Sequence, residues 1–204
     1  MRQWTGSALP RSAGKGKGPT NGNGMLSDAA RRSFVTLFTR AAERHLALAA
    51  EDQVRVAPLP AGARHDPAEP EIMVLTISGF SFKLLTLFHI DTGSSALQAY
   101  FRKPALELGM NDVFPELTNL CCGSINRDLG QHFSHLGMST PYTLHRQCLT
   151  FLDVLRPAFV ERFRIDINAE VTLHATLCVV AYAPLDFTVS PFEATETAGE
   201  LEFF

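Results

Sequence analysis

The chain predicts an α+β fold, a mainly antiparallel sheet packed against two long helices, and three observations carry that expectation. Large apolar residues recur every three or four positions over about 28–49 and again over 112–135, as a helix with one buried face requires. Residues 72–78 and 82–90 are rich in β-branched and aromatic side chains and are parted by Gly79, the pattern of an antiparallel pair. Residues 163–167 and 171–182 alternate in polarity across Asn168 and Ala169, a second such pair. With 204 residues, 46% of them hydrophobic and 19% charged, the chain can bury one substantial core, so a single domain is expected.

Each element has its own local justification. Ser27 and Asp28 offer capping oxygens to the first helix, whose Phe34, Leu37, Phe38, Ala41, Ala42, His45 and Leu46 share one face. Gln53 to Ala57 alternates weakly and predicts a short strand, followed by the proline-rich polar loop PLPAGARHDPAEP. Asp91, Thr92 and Ser94 can cap a short helix through Leu97, Tyr100 and Phe101, which Pro104 ends or bends. The second long helix takes Asp112 and Pro115 as its first turn and Gly137 as its stop. Its buried stripe is read as Leu117, Leu120, Cys121, Ser124, Ile125, Leu129, His132, Phe133 and Leu136. Residues 148–160, CLTFLDVLRPAFV, fit a buried helix broken by Pro157 as well as they fit a strand.

The ends differ from the body. Residues 1–25 include RSAGKGKGPTNGNG, which has nothing large and apolar to bury, and read as a disordered tail; 191–204 read as an acidic flexible tail, leaving 26–190 as the folded domain. Met25 stands at the first boundary, so either Met1 or Met25 can be the native start. The first tail carries Arg2, Arg11, Lys15 and Lys17, the last carries Glu193, Glu196, Glu200 and Glu202, and the overall charge is −3, so no basic face for nucleic acid stands out. The longest apolar runs, Ile72 to Leu75 and Leu84 to Phe88, fall far short of the roughly 20 residues of a membrane span. Cys121, Cys122, Cys148 and Cys178 lack paired spacing and the first two are adjacent, so they read as reduced thiols of a cytoplasmic protein.

Turned over, the second long helix presents Glu116, Asn119, Gly123 and Asn126 or Arg127 on a polar face. Glu116 is placed in the first turn, where the helix dipole favours an anion, Asn119 lies one turn below, and Gly123 leaves the surface flat enough for another backbone to approach. Helix physics alone also allows a plain solvated face with a packing notch at Gly123. His132, His135 and the cysteines match no closed zinc site, His174 reads as a satisfied sheet residue, and Ser139 and Thr140 lack a nucleophile elbow. No nucleotide-binding glycine loop is present.

Asp112-x3-Glu116-x2-Asn119, then twenty-one residues, then Pro141 resembles the [Asp/Ser]-x3-Glu-x2-Asn-x21-Pro signature of the CheC, CheX and FliY phosphatases of bacterial chemotaxis. At ordinary residue frequencies this spacing arises by chance in roughly one chain in several hundred. The order of elements over about 27–182 is also similar to CheX, and the motif occurs once, as in the single-site CheX type. The stretch 145–160 is longer than such a chain needs and is a candidate cover for a sheet edge.

The resemblance implies hydrolysis of the aspartyl phosphate of a CheY-like response-regulator receiver. Asn119 would then align the attacking water and Glu116 would pair with the receiver's lysine, with Asp112 a helix cap, Gly123 supporting close approach and Pro141 shaping the following turn. It implies no cofactor or metal of the chain's own, Mg²⁺ being supplied by the receiver, and a homodimer formed through sheet edges. A non-catalytic receiver-binding or flagellar-switch-like adaptor of the same fold is the rival reading.

Overall fold

A computed structural model describes residues 24–60, 68–102 and 107–190. Helix α1 spans Asp28–His45, α2 spans Ser95–Tyr100 and α3 spans Met110–Leu129. The strands are β1 (Val54–Pro58), β2 (Glu71–Ser78), β3 (Phe82–Ile90), β4 (Gly137–Met138), β5 (Tyr142–His145), β6 (Phe159–Ile167) and β7 (Val171–Ala181). They form one sheet in the order β1-β6-β7-β3-β2-β4, with β5 following β4 along the same side of β2. Every named pairing is antiparallel.

Alternation along the strands divides the sheet into two faces. Leu75, Ile77, Leu84, Phe88, Phe163, Ile165, Leu173 and Leu177 point to the side carrying α1 and α3, where the main core lies. Phe38 of α1 sits with its ring 4.5 Å from Phe163 and 5.8 Å from Phe88, and Phe88 meets Phe114 of α3 at 6.0 Å. Residues 183–190 return across the helices: Leu185 bridges Leu26, Ser33 Oγ donates to Phe187 O at 3.1 Å, and the Phe187 ring stands 5.1 Å from those of Phe34 and Phe133.

The α+β class, the strand pair 71–78 and 82–90, and the last pair across Asn168 and Ala169 match the sequence expectation; both turn residues adopt positive φ, 53° and 58°, and Glu170 N–H reaches Ile167 O at 3.0 Å. The second long helix departs from it. It ends at Leu129 and not at 135, because Gly130 caps it and the chain then turns, with His135 in the left-handed region at φ 59°. His132 is therefore exposed, its ring 5.2 Å from Phe187, and is not part of the buried stripe. Leu120 also leaves that stripe and is 52% exposed.

Residues 148–160 match neither alternative alone: the part before Pro157 is helical but not a buried helix, since none of its residues is fully buried, and only the end at Phe159 and Val160 is strand. Arg146–Leu155 form a 3₁₀ helix, and β6 starts at Phe159 beyond Pro157. Leu149 and Leu152 lie against Ile72, Val74, Leu87 and Cys178 on the face away from α1 and α3. This stretch thus covers a sheet face, and it is not an edge cover: β1 and the β4–β5 strand form the two edges. The terminal segments 1–23 and 191–204, with Pro104, lie outside the described residues.

Candidate functional site

Helix α3 is held by Val113, Phe114, Leu117, Cys121, Cys122, Ile125 and Leu129, all buried. That stripe leaves the opposite face in solvent. The helix is started by Asp112, whose Oδ2 accepts from Gly109 N–H at 3.1 Å, so its carboxylate is engaged as a cap reaching back from the third helical position. Because the helix begins at Met110, Pro115 and Glu116 lie in its second turn, not its first, and the dipole argument for Glu116 weakens accordingly. Pro115 has no N–H to offer the turn above it, and Thr118 Oγ1 bonds the Pro115 carbonyl at 2.9 Å.

Glu116 is exposed and Asn119, one turn on, is half-buried. Among the described residues neither side chain has a hydrogen bond or ion pair. Leu120 adds a large apolar group to the same face. A Cβ placed on Gly123 meets nothing within 4 Å, so the helix gives up roughly 0.5–1 kcal/mol relative to alanine without any packing return inside the chain. Among the described residues nothing packs into the notch at Gly123. Further along, Asn126 Oδ1 is buried without a partner among the described residues.

The remaining candidates fall elsewhere. Pro141 stands between β4 and β5, where its missing N–H suits a broken edge strand. Ser139 is spent on the same edge: its N–H donates to Thr76 O at 2.9 Å and its Oγ accepts from Thr76 N–H at 3.0 Å. His174 Nδ1 lies 2.6 Å from Glu69 Oε1. Burial works to raise the Glu69 carboxyl, but the hydrogen bond and charge of His174 outweigh it and hold the pKa at about 2. All four cysteines are free, and burial pushes Cys122 up to about 12 and Cys178 to about 11, so these thiols are protonated and unreactive. Among the described residues no His, Cys, Asp and Glu group has the geometry of a metal site, and no helix is long and apolar enough to cross a membrane.

The site is thus a convex helix face and not a pocket. A hollow of about 510 Å³ does open at the N-terminal end of α3, but Thr92, Gln98, Arg102, Asn111 and Asp112 line it and Glu116 and Asn119 do not. An exposed carboxylate, a neighbouring carboxamide, an apolar knob and a bare glycine can do little to a small free molecule. They can grip another protein and hold a polar group against one of its atoms. Leu120 was misassigned from sequence because it is apolar, although its spacing of four from Glu116 already put it on the polar face.

No protein-family model and no curated protein matches the chain. Solved structures do. CheX in the CheX-CheY-BeF3-Mg²⁺ complex from Borrelia burgdorferi is similar over 73% of this chain and 96% of its own, with a TM-score of 0.50 at 9% identity. The fold is CheX-like. CheX from Vibrio vulnificus is 13% identical over 72% of this chain and 96% of its own, with a TM-score of 0.45. FliY from Thermotoga maritima is 13% identical over 72% and 84%, with a TM-score of 0.41.

Proposed function

We propose that this CheX-like chain is a phosphatase for the aspartyl phosphate of a CheY-like receiver domain. The observation that carries the reading is the pair of unpartnered side chains one turn apart on the open face of α3, the Glu116 carboxylate and the Asn119 carboxamide. In water, an unused charged or polar group on a helix is ordinary; two of them at the spacing of the signature, beside Gly123, support a docking role.

An acyl phosphate is already reactive, so a partner contributes by orienting water in line with phosphorus. The Asn119 amide aligns that water and stays uncharged beside the anionic phosphoryl group. Water adds to phosphorus, the bond to the aspartyl oxygen breaks, and inorganic phosphate leaves the regenerated carboxylate. Glu116 pairs with the receiver's lysine and fixes the register of Asn119. Mg²⁺ comes with the receiver and neutralises charge there; Asp112, engaged with Gly109, serves as a cap.

The test is decay of receiver phosphate. Receivers from the organism that encodes this chain, loaded with acetyl phosphate, should lose phosphate faster with the chain present. Asn119→Ala should lose about 100-fold in single-turnover rate, roughly 2.7 kcal/mol of barrier, with an unchanged melting temperature. Parental activity in the alanine variant would sink the water-positioning role, and binding without accelerated decay would favour the adaptor.

The same reading carries a homodimer. Strand β5 lies at a sheet edge with all four residues exposed, Tyr142 at 43% and Leu144 at 40%, and its free backbone groups can pair with a second copy while both α3 faces stay open. Light scattering at micromolar concentration should return twice the 22.4 kDa chain mass; a monomer mass would refute it.

A further inference from the structure

We infer that Leu120 and Gly123 are the steric footprint of the receiver on α3, a knob and a notch that decide which partner can close on Asn119. The inference rests on the proposed function. Two observations support it separately. Leu120 is 52% exposed in the middle of the face that carries Glu116 and Asn119, next to the second in sequence and one turn from the first. A body that brings a phosphoryl group to Asn119 must cover it, and covering it removes apolar surface from water. Gly123 is a mid-helix glycine whose Cβ would meet nothing within 4 Å among the described residues, so its want of a side chain has no use in the packing they show. A backbone segment from outside, seated beside Leu120, does have a use for that space.

The two residues therefore act on closure and not on the chemical step. Leu120 supplies contact that the bound state gains, and Gly123 sets how near the receiver backbone comes. A receiver with a bulky or charged side chain at the place facing Gly123 is excluded, which makes the pair a selectivity element.

The test uses the full chain, acetyl-phosphate-loaded receivers and the beryllofluoride–Mg²⁺ form of the same receivers. Gly123→Ala should raise the melting temperature by about 2–4 °C, as filling helix propensity into open space does. At the same time it should raise the half-saturating receiver concentration about tenfold, with the rate at saturation unchanged. Leu120→Asn should keep its melting temperature and show a similar loss, both in half-saturation and in binding the beryllofluoride form. Opposite movements of stability and affinity in Gly123→Ala are what a purely structural role cannot produce. An active parent with both variants unchanged in half-saturation would overturn this inference alone, as would a fall in saturating rate at constant half-saturation. A parent inactive on every receiver would overturn the proposed function and this with it. Self-association of the chain that disappears in Leu120→Asn would assign the face to a second copy and also refute the inference.

Discussion

Helices α1 and α3 lie side by side over the same face of the sheet, have 18 and 20 residues, and use their polar groups in opposite ways. Several of those on and around α1 are spent on the chain itself. Ser27 Oγ accepts from Ala30 N–H at 3.0 Å and donates to Asp186 at 2.6 Å, Glu43 Oε1 accepts from Val56 N–H at 3.3 Å, and the Arg31 guanidinium stands 5.4 Å from the centre of the Phe159 ring. Arg40 forms an ion pair with Asp128. Past its C-terminal end, Asp52 accepts from Leu48 N–H and Ala49 N–H at 2.9 and 2.8 Å. On α3 the inward-facing Thr118 and Cys121 bond Pro115 O and Ala41 O, but the outward-facing Glu116 and Asn119 side chains have no such use among the described residues. The difference teaches a division of labour: α1 is fastened to strands, loops and the 183–190 segment, α3 is held by its buried stripe with the Cys121–Ala41 contact and the Arg40–Asp128 ion pair, and its outer face from Glu116 to Gly123 is open to the partner proposed above.

The comparison is sharpened most by a core variant on α1. Phe38 is 1% exposed between Phe88 and Phe163, so Phe38→Ala should cost about 3–5 kcal/mol in urea unfolding, by lost transfer energy and an unfilled cavity. A loss under about 1 kcal/mol would break the claim that α1 is the fastened helix. Next comes the open helix: Glu116→Ala should leave unfolding alone but weaken binding of a beryllofluoride-loaded receiver by roughly 1.5–3 kcal/mol, the worth of a charge-assisted contact. Calorimetry returning the parental affinity would remove the docking role from Glu116, and a lowered melting temperature would show that this face is also in use by the fold.

How far the sequence goes follows the same division. The strands 71–78, 82–90 and 171–181 were legible because alternation and β-branched content survive in any sheet of this kind, and α1 because Ser27 and an unbroken apolar stripe mark it. The strands at 137–145 were not, since all their residues but Ser139, Thr140 and Pro141 are edge positions with exposed side chains, and an exposed edge has no hydrophobic period to read. The end of α3 was missed because Phe133 and Leu136 continue an apolar pattern past Gly130, where they pack from a turn and not from a helix. The 3₁₀ segment was ambiguous because Leu149 and Leu152 face the sheet while Phe151 and Val154, 66% and 74% exposed, do not, and no α or β period fits both. At the site, residue type and spacing put Glu116, Asn119 and Gly123 on one face. The spacing put Leu120 there too, although its apolar type argued for the core; that the Glu116 and Asn119 side chains have no partner in the described chain required coordinates.

The smallest expected effect tests the fastening of α1 at its C-terminal end. Asp52 also lies 2.7 Å from Asn168 Nδ2 and 2.8 Å from the Tyr100 hydroxyl, which in turn is 3.0 Å from Leu46 O at the end of α1. The Asn168 hydrogen bond leads the causes that take the Asp52 carboxyl from 3.8 down to about 2, with the amides of Ala49 and Leu48 adding to it and partial burial opposing. A carboxyl held low in the folded chain binds its proton more readily when unfolded. Its contribution is therefore complete above about pH 4 and drains away as the pH falls toward 2. Because Asp52 is near the surface, solvent screens the interaction and the contribution is small. Urea unfolding of the parent and of Asp52→Asn should differ at pH 6, and the gap should narrow steadily from pH 4 to pH 3. Glu69 titrates over an overlapping range in both proteins and cancels from the difference, so a gap of constant size across that range would mean that the carboxylate charge does not fasten α1.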